Sequence, residues 1–109
     1  MPQSLSQIYL HVVFSTKNRA RYLQNNELRI KVHAYLAGIC KNLESPAIII
    51  GGVEDHVHIL CRLSKNISVA NFVRELKRDS SKWLKIESSE LSDFYWQAGY
   101  GAFSSSPSH

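Results

Sequence analysis

Ala47–Leu63, with the sequence AIIIGGVEDHVHILCRL, contains two apolar segments on either side of the polar pair Glu54-Asp55. The segment Ala47–Val53 is rich in β-branched residues, which favours a strand. From His56 to Leu63 apolar and polar residues alternate, a pattern typical of a strand with one buried face. The stretch therefore predicts a β-hairpin whose second strand directs one set of side chains toward a core: Val57, Ile59, Cys61 and Leu63.

Four further elements flank this hairpin. Ile8–Ser15 alternates in the same way and predicts a first strand. Apolar residues at helical spacing predict one helix that begins at about Asn26 and a second that Ser68 caps. The aromatic-rich segment Phe94–Phe103 predicts the last strand. The order strand, helix, strand, strand, helix, strand is that of an α+β, ferredoxin-like fold, with two helices on one face of an antiparallel sheet, in a single domain over residues 1–109.

Length and composition are those of one small globular domain. The chain has 109 residues, of which 44% are hydrophobic and 20% charged, which argues against a disordered tail or a fibre. Met1–Ser4 lacks the pattern of a signal peptide, and the longest apolar run is far below the ~20 residues of a membrane helix. Cys40 and Cys61 are too few for a disulfide framework or a thiolate metal site. We therefore expect a cytoplasmic protein with reduced thiols and no membrane partner.

Positive charge is concentrated in two parts of the chain. Residues 1–44 and residues 64–85 each carry six basic and two acidic side chains. The candidate contacts to a polyanion, nucleic acid being the commonest, lie in the first loop and along the outer side of the second helix. They are Lys17, Arg19, Arg21, Arg74, Lys77, Arg78 and Lys82. The alternative is that these charges only solvate a helix and a loop.

His56-Val57-His58 is the most informative tripeptide. Pleating places residues i and i+2 of a strand on the same side, with Cα atoms roughly 6.5–7 Å apart. Two imidazoles at that separation can bind one divalent cation, and with oxygen ligands the site suits Mg²⁺ or Mn²⁺ as well as zinc. A third ligand is needed, and His11, Glu54 and Asp55 are the candidates within the chain. The alternative is a chance pair that faces water.

Other motifs for catalysis are weaker. No serine-histidine-aspartate pattern and no glycine-rich phosphate loop is present. Tyr100, between two glycines, is the most accessible candidate among the tyrosines, but an aromatic residue on a sheet more often packs or stacks on a base. His33 lies near the apolar stripe of the first helix and is interpreted as structural.

Four segments, in the same order and over nearly the whole chain, resemble the single-tyrosine transposases of small bacterial insertion sequences. This group is the insertion sequence 200/605 group and includes the REP-associated tyrosine transposases. Asp55–Leu60 (DHVHIL) matches the family's metal motif, histidine-hydrophobic-histidine or HUH. The other segments are Tyr9–Arg19 (YLHVVFSTKNR), Ser68–Ser81 and Trp96–Ser104 (WQAGYGAFS).

The resemblance implies DNA transposition by cleavage and rejoining of single-stranded DNA near hairpins. In the family a tyrosine attacks a backbone phosphate and forms a 5′-phosphotyrosine link. The two histidines of the motif, here His56 and His58, bind a divalent ion, Mg²⁺ or Mn²⁺, that polarises the phosphate. The family proteins work as homodimers, so the resemblance implies a homodimer here as well.

The family's nucleophilic tyrosine lies on a helix that follows the last strand, and that helix also supplies a glutamine as third metal ligand. The corresponding positions would fall beyond His109, so no catalytic tyrosine is identifiable and Tyr100 is not assigned that role. We therefore expect a shortened transposase that keeps the fold, a weakened metal site and DNA affinity, lacks strand cleavage and tends to self-associate.

Two other classes of protein remain open. One is a non-catalytic, single-stranded nucleic-acid-binding module of the same fold, in which aromatic residues of the sheet such as Tyr9 stack on bases. The other is a ferredoxin-like regulator that binds a small ligand, in which the paired histidines and basic residues are incidental. Metal-dependent binding and a preference for hairpin DNA would distinguish the transposase from both.

Overall fold

The structure, a computed structural model, describes residues 7–105. It contains four strands and two long helices in the predicted order. Two short 3-10 helices, Lys17–Arg19 and Ser89–Leu91, lie in the connections. The main elements are β1 (Ile8–Ser15), α1 (Asn26–Asn42), β2 (Ala47–Gly52), β3 (His56–Leu63), α2 (Val69–Glu87) and β4 (Gly101–Ser105).

Both helices begin at side-chain caps. Asn25, one residue before the expected start, accepts a hydrogen bond from the backbone N–H of Leu28 at 3.0 Å. Ser68 accepts in the same way from the N–H of Asn71 at 3.1 Å, as predicted. Each cap satisfies one of the N–H groups that the first turn of a helix leaves unpaired.

The four strands form one antiparallel sheet in the order β2-β3-β1-β4. This arrangement, with both helices packed against the same core, confirms the predicted α+β, ferredoxin-like class. The register aligns one row of residues across the whole sheet: Gly51, His58, Val13 and Gly101.

The core lies between the helices and one face of the sheet. The inward residues of β3, from Val57 to Leu63, are all buried, and so are Leu10, Val12 and Phe14 of β1. Ile8, predicted to share that inward face, is 45% exposed because it lies at the end of the strand. The helices contribute mainly Val32, Leu36, Ile39, Phe72, Val73, Leu76 and Leu84.

The prediction of the last strand over Phe94–Phe103 was wrong in extent. The strand begins at Gly101, after Gly99 adopts a left-handed φ of 88°. Phe94 and Trp96 belong to the core instead of the strand, and their rings stack edge to face at 4.9 Å. Tyr95, Tyr100 and Phe103 of the same segment are exposed. Aromatic content alone therefore marked neither the strand nor the buried residues of this segment.

Cys40 and Cys61 are buried free thiols, and burial raises their pKa values to about 12 and about 11. Within residues 7–105, neither helix combines the length and apolarity that a membrane span requires. The composition of Ser104–His109 predicts a loop, but Ser104 and Ser105 belong to β4. The rest of that prediction concerns residues 106–109, which lie outside the described part of the chain.

Candidate metal and nucleic-acid site

The sheet has a second face that neither helix covers. Its side chains alternate with those of the core, and we call it the open face. It carries His56, His58 and Leu60 of β3, together with His11, Val13 and Ser15 of β1 and Phe103 of β4. All of these residues are partly or fully exposed. The two histidines of the HUH motif therefore lie on one accessible face, as the alternation of β3 requires.

His56 is held by a short chain of charged groups. Its Nδ1 lies 3.0 Å from Oδ1 of Asp55, and Oδ2 of the same carboxylate accepts from Nε of Arg19 at 3.0 Å. A carboxylate only accepts hydrogen bonds, so the proton lies on Nδ1 and the lone pair of Nε2 is free for a ligand. The hydrogen bonds from His56 and Arg19 lower the pKa of Asp55.

The backbone holds this group in place as well. The N–H of Thr16 donates to the carbonyl of Asp55 at 2.9 Å, and the N–H of Leu23 donates to that of Glu54 at 2.9 Å. The loop after β1 therefore holds the turn between β2 and β3 in place through two backbone hydrogen bonds. Arg19 reaches Asp55 from this loop with a left-handed φ of 58°, an uncommon conformation for a residue with a side chain.

The ring of His58 is positioned by steric contacts. It lies against the backbone of Gly51, its partner on β2. A Cβ placed on Gly51 would lie 2.7 Å from Cε1 of that ring. On the other side, the ring of His11 meets that of His58 edge to face, with centroids 5.8 Å apart.

A complete set of metal ligands is not assembled within residues 7–105. No group of three or more histidine, cysteine, aspartate or glutamate side chains in this range is arranged to hold a metal ion. Asp55, a candidate third ligand, is bonded to His56 and Arg19. His56 and His58 can still supply two of the ligands of a divalent cation. The contact with the carboxylate of Asp55 leaves Nε2 of His56 free, and the absence of a side chain on Gly51 leaves room for the ring of His58.

His33 lies on α1, partly buried, and contributes to packing as interpreted from the sequence. Its Nε2 is buried and has no hydrogen-bond partner among the described residues. Burial lowers the pKa of His33, and Arg29 and His58 lower it further.

One basic residue of the first loop, Arg19, lies beside the histidines, because the carboxylate of Asp55 contacts both its guanidinium and the ring of His56. Nζ of Lys17, in the same loop, lies 5.7 Å from the centre of the Tyr95 ring, and Arg21 is exposed. The fold therefore brings Arg19, from the predicted polyanion contacts, to the paired histidines.

The basic residues of α2 are arranged differently. Arg74 and Lys82 are exposed, and Arg78 pairs with Glu75 and Asp79, which raise its pKa. Lys77 binds the protein's own backbone, because its Nζ donates to the carbonyls of Gln97 at 2.8 Å and Gly99 at 2.6 Å. Desolvation at this position lowers the pKa of Lys77. These residues belong to the helical layer, on the other side of the sheet from the histidines.

A shallow cavity of about 440 Å³ lies on the open face next to the row that contains His58. Its lining includes Val13, Tyr100, Gly101 and Phe103. Tyr100 is 44% exposed and Phe103 is 64% exposed. The rings of Tyr100 and Phe103 are therefore accessible in the cavity beside Val13. In the row across the sheet, Val13 lies between Gly101 and His58.

Sequence reasoning missed two features of the site. It gave Gly51 no role, because no glycine-rich phosphate loop is present, although the position of Gly51 opposite His58 follows once the hairpin is in register. It also treated Lys77 only as a surface charge, because its contact with residues 97–99 depends on long-range packing. No local signal in the sequence indicates the second feature.

Comparison with known proteins places this geometry in context. A family model described as "Transposase IS200 like" matches residues 4–109. The structure is similar to that of a protein from Deinococcus radiodurans R1, provisionally described as a transposase, with a TM-score of 0.79 and 18% identity over 94% of this chain and 85% of that one. A comparison with curated proteins finds no match.

A second solved structure, a REP-associated tyrosine transposase bound to a REP hairpin, is also similar. Its TM-score is 0.67 at 11% identity over 99% of this chain. This chain spans 62% of the length of that protein. At such identities the likeness of both structures concerns the fold alone.

Proposed function

The chain belongs to the family of IS200-like transposases, and from this premise we propose that its open face binds a divalent cation and single-stranded DNA with hairpin ends. One observation carries the proposal: His56 and His58, two residues apart on β3, lie on the face that neither α1 nor α2 covers. The helices are packed against the opposite face, so both imidazoles remain accessible to a ligand.

The cation is Mg²⁺ or Mn²⁺, and His56 and His58 hold it. The remaining positions suit oxygen ligands from water, from the DNA backbone or from another part of the protein. When bound, such a cation polarises a phosphate oxygen and stabilises negative charge that develops on it. Asp55 serves this site indirectly, because it keeps the proton on Nδ1 of His56 and orients the ring.

The DNA contacts fall into two groups. Lys17, Arg19 and Arg21 bind phosphates close to the cation, and Arg74, Arg78 and Lys82 add longer-range attraction from α2. Lys77 is kept from phosphates by its two carbonyl contacts. Unpaired bases stack on exposed aromatic rings such as those of Tyr100 and Phe103, which favours single strands over duplex DNA.

We propose that Tyr100 contributes to DNA binding and not to strand cleavage. Tyr100 lines the cavity beside Val13, but we assign it to base stacking rather than nucleophilic attack. Exposed apolar side chains on the open side of the sheet, such as Ile49 at 57% and Phe103 at 64%, favour association of two copies. The proposed assembly is therefore a homodimer, which light scattering on the purified protein tests.

Titration calorimetry with Mn²⁺ tests the metal site. We expect the wild-type protein to bind Mn²⁺ and the His58→Ala variant to bind at least tenfold more weakly, since one of two protein ligands is lost. Asp93→Asn is the control, because it alters an exposed side chain in the loop before β4, outside the site. Equal Mn²⁺ affinity in wild type and His58→Ala would contradict the proposal.

Fluorescence anisotropy with labelled oligonucleotides tests the DNA partner. A hairpin with a single-stranded flank should bind more tightly than a duplex of equal length, and EDTA should weaken binding. A covalent adduct of the chain with the hairpin in Mn²⁺, visible after denaturing electrophoresis and lost in Tyr100→Phe, would identify Tyr100 as a nucleophile and refute its assignment to base stacking.

A second candidate function is a nucleic-acid-binding module without metal chemistry. The observation in its favour is the pair of exposed rings, Tyr100 and Phe103, on a sheet face that also bears His11. This candidate predicts that Phe103→Ala weakens DNA binding strongly while EDTA and His58→Ala have no effect.

A further inference from the structure

We infer that Gly51 is a positioning residue of the metal site, because its missing side chain leaves the space that the imidazole of His58 occupies. The inference rests on the proposed function, in which His58 is a metal ligand. It concerns a residue of the neighbouring strand that lies outside the HUH motif.

The inference depends on the contact between the imidazole of His58 and the backbone of Gly51. Gly51 and His58 are paired across β2 and β3. A Cβ built on Gly51 would lie 2.7 Å from Cε1, 2.9 Å from Nε2 and 3.6 Å from Nδ1 of His58. The three closest atoms thus all belong to the same imidazole, and two of them, Cε1 and Nε2, are nearer than a Cβ atom approaches a nonbonded heavy atom in proteins. Any residue other than glycine at this position forces the ring to move.

Glycine is not required at this position for its backbone freedom. The φ of Gly51 lies outside the left-handed range, in contrast to that of Gly99. An alanine can therefore adopt the backbone of this β2 position, where the three heavy atoms nearest to the added methyl group all belong to the ring of His58. The expected response is a rotation of that ring rather than a disruption of the sheet.

Two other glycines show that this contact is specific. A Cβ on Gly101, at the other end of the same row, would meet nothing closer than Cε2 of Phe103 at 3.9 Å, an ordinary contact. A Cβ on Gly38 of α1 would meet nothing within 4 Å. Both positions therefore accept alanine, and they provide matched controls on the open face and in the helical layer.

Ring placement matters because two imidazoles bind one cation only if both lone pairs point at it. Groups that orient a metal ligand typically change metal affinity 10–100-fold when they are altered. We expect Gly51→Ala to weaken Mn²⁺ binding within that range in calorimetry, while Gly101→Ala and Gly38→Ala bind as the wild type does. Wild-type affinity in Gly51→Ala would overturn the inference.

Two measurements on the metal-free protein separate this inference from the proposed function. The Cε1–H resonance of His58 should shift in Gly51→Ala and stay in place in Gly101→Ala. In a double-mutant cycle followed by urea unfolding, Gly51→Ala should be unfavourable with His58 present and neutral or favourable in His58→Ala, because strands disfavour glycine. Absence of both the shift and the coupling refutes the contact.

If wild type and His58→Ala bind Mn²⁺ equally, the proposed metal function fails, and with it the role of Gly51. If wild type binds Mn²⁺ better than His58→Ala does but Gly51→Ala matches wild type, only the inference about Gly51 fails. A loss of Mn²⁺ binding that is accompanied by unfolding in circular dichroism would also overturn it, because glycine would then serve the strand and not the ring.

Discussion

The two faces of the sheet differ in what their side chains contact. On the face under the helices, Val12, Val57 and Ile59 are completely buried and pack against α1 and α2. On the open face, the next residues along the same strands are partly exposed, and His56 and His58 are among them. One strand, β3, thus contributes alternately to the core and to the proposed site.

This difference separates stability from ligand binding. Burial of apolar side chains stabilises the fold by roughly 25 cal/mol per Å², and that contribution comes almost entirely from the covered face. The proposed site on the open face requires imidazoles that a cation can reach and aromatic rings that DNA bases can reach. The apolar surface on this face therefore stays uncovered. Substitutions on the covered face should therefore change the free energy of unfolding, and substitutions on the open face should change ligand affinity.

The largest expected effect is on stability. Phe72→Ala removes a fully buried ring of α2 and should lower the free energy of unfolding by about 3–5 kcal/mol. Phe103→Ala, the matched change on the open face, should alter it by about 0.5 kcal/mol or less, because the ring is 64% exposed. Urea unfolding followed by circular dichroism measures both, and similar losses would abolish the distinction between the faces.

Buried hydrogen bonds on the covered face link Trp96 to α2. Nε1 of Trp96 donates to Oγ of Ser80 at 2.9 Å, and that hydroxyl donates to the carbonyl of Leu76 at 2.6 Å. Ser80→Ala leaves the indole N–H unpaired and should destabilise the protein by about 1–3 kcal/mol. Ser81→Ala, one position away on α2, is the control. Equal unfolding free energies for the two variants would show that the contact contributes little.

Asp55→Asn, in the turn before β3, should change Mn²⁺ binding at the open face rather than the stability of the fold. The amide still accepts from Nδ1 of His56 but no longer carries the charge that pairs with Arg19. Mn²⁺ affinity should fall roughly tenfold in calorimetry. Asp93→Asn, an exposed change in the loop before β4, should leave it unaltered. A large change in thermal stability with unchanged Mn²⁺ affinity would assign Asp55 to the fold.

Two lysines of α2, Lys77 and Lys82, should differ in whether they affect stability or DNA binding, and these effects are smaller. Lys77→Met breaks both hydrogen bonds to the segment before β4 and should destabilise the protein by about 0.5–1.5 kcal/mol. It should leave the salt dependence of DNA binding unchanged. Lys82→Met should do the reverse and reduce the slope of log K against log salt by about 0.7 if it contacts a single-strand phosphate. A reduced slope in Lys77→Met would return that residue to the DNA contacts.

The smallest effect concerns His33, which is on the helical side. Its pKa is lowered by burial, so the unfolded chain takes up a proton before the folded one does. The folded state should therefore lose stability as the pH falls below about 6.5, the value of an unperturbed histidine. His33→Gln should flatten this dependence in urea unfolding between pH 7.5 and 5.5. An identical profile in wild type and variant would exclude His33 as its source.

Much of the fold could be predicted from local patterns. The alternation in Ile8–Ser15 and His56–Leu63 marks both central strands with the bounds that the structure has. The cap at Ser68 also marks the start of α2 correctly. The prediction failed at Phe94–Phe103, because aromatic residues favour burial in a core as much as they favour strands, and the strand begins only at Gly101.

The sequence by itself determined that the two imidazoles of the motif share a face, because pleating sends residues i and i+2 of any strand to the same side. Tertiary structure decided what surrounds them. Pairing within the hairpin brings Gly51 under the ring of His58, a contact that follows once the register of the hairpin is fixed. The loop after β1 brings Arg19 to Asp55, 36 residues away in the chain. That second contact follows from the packing of the whole core and leaves no periodic signal in the sequence.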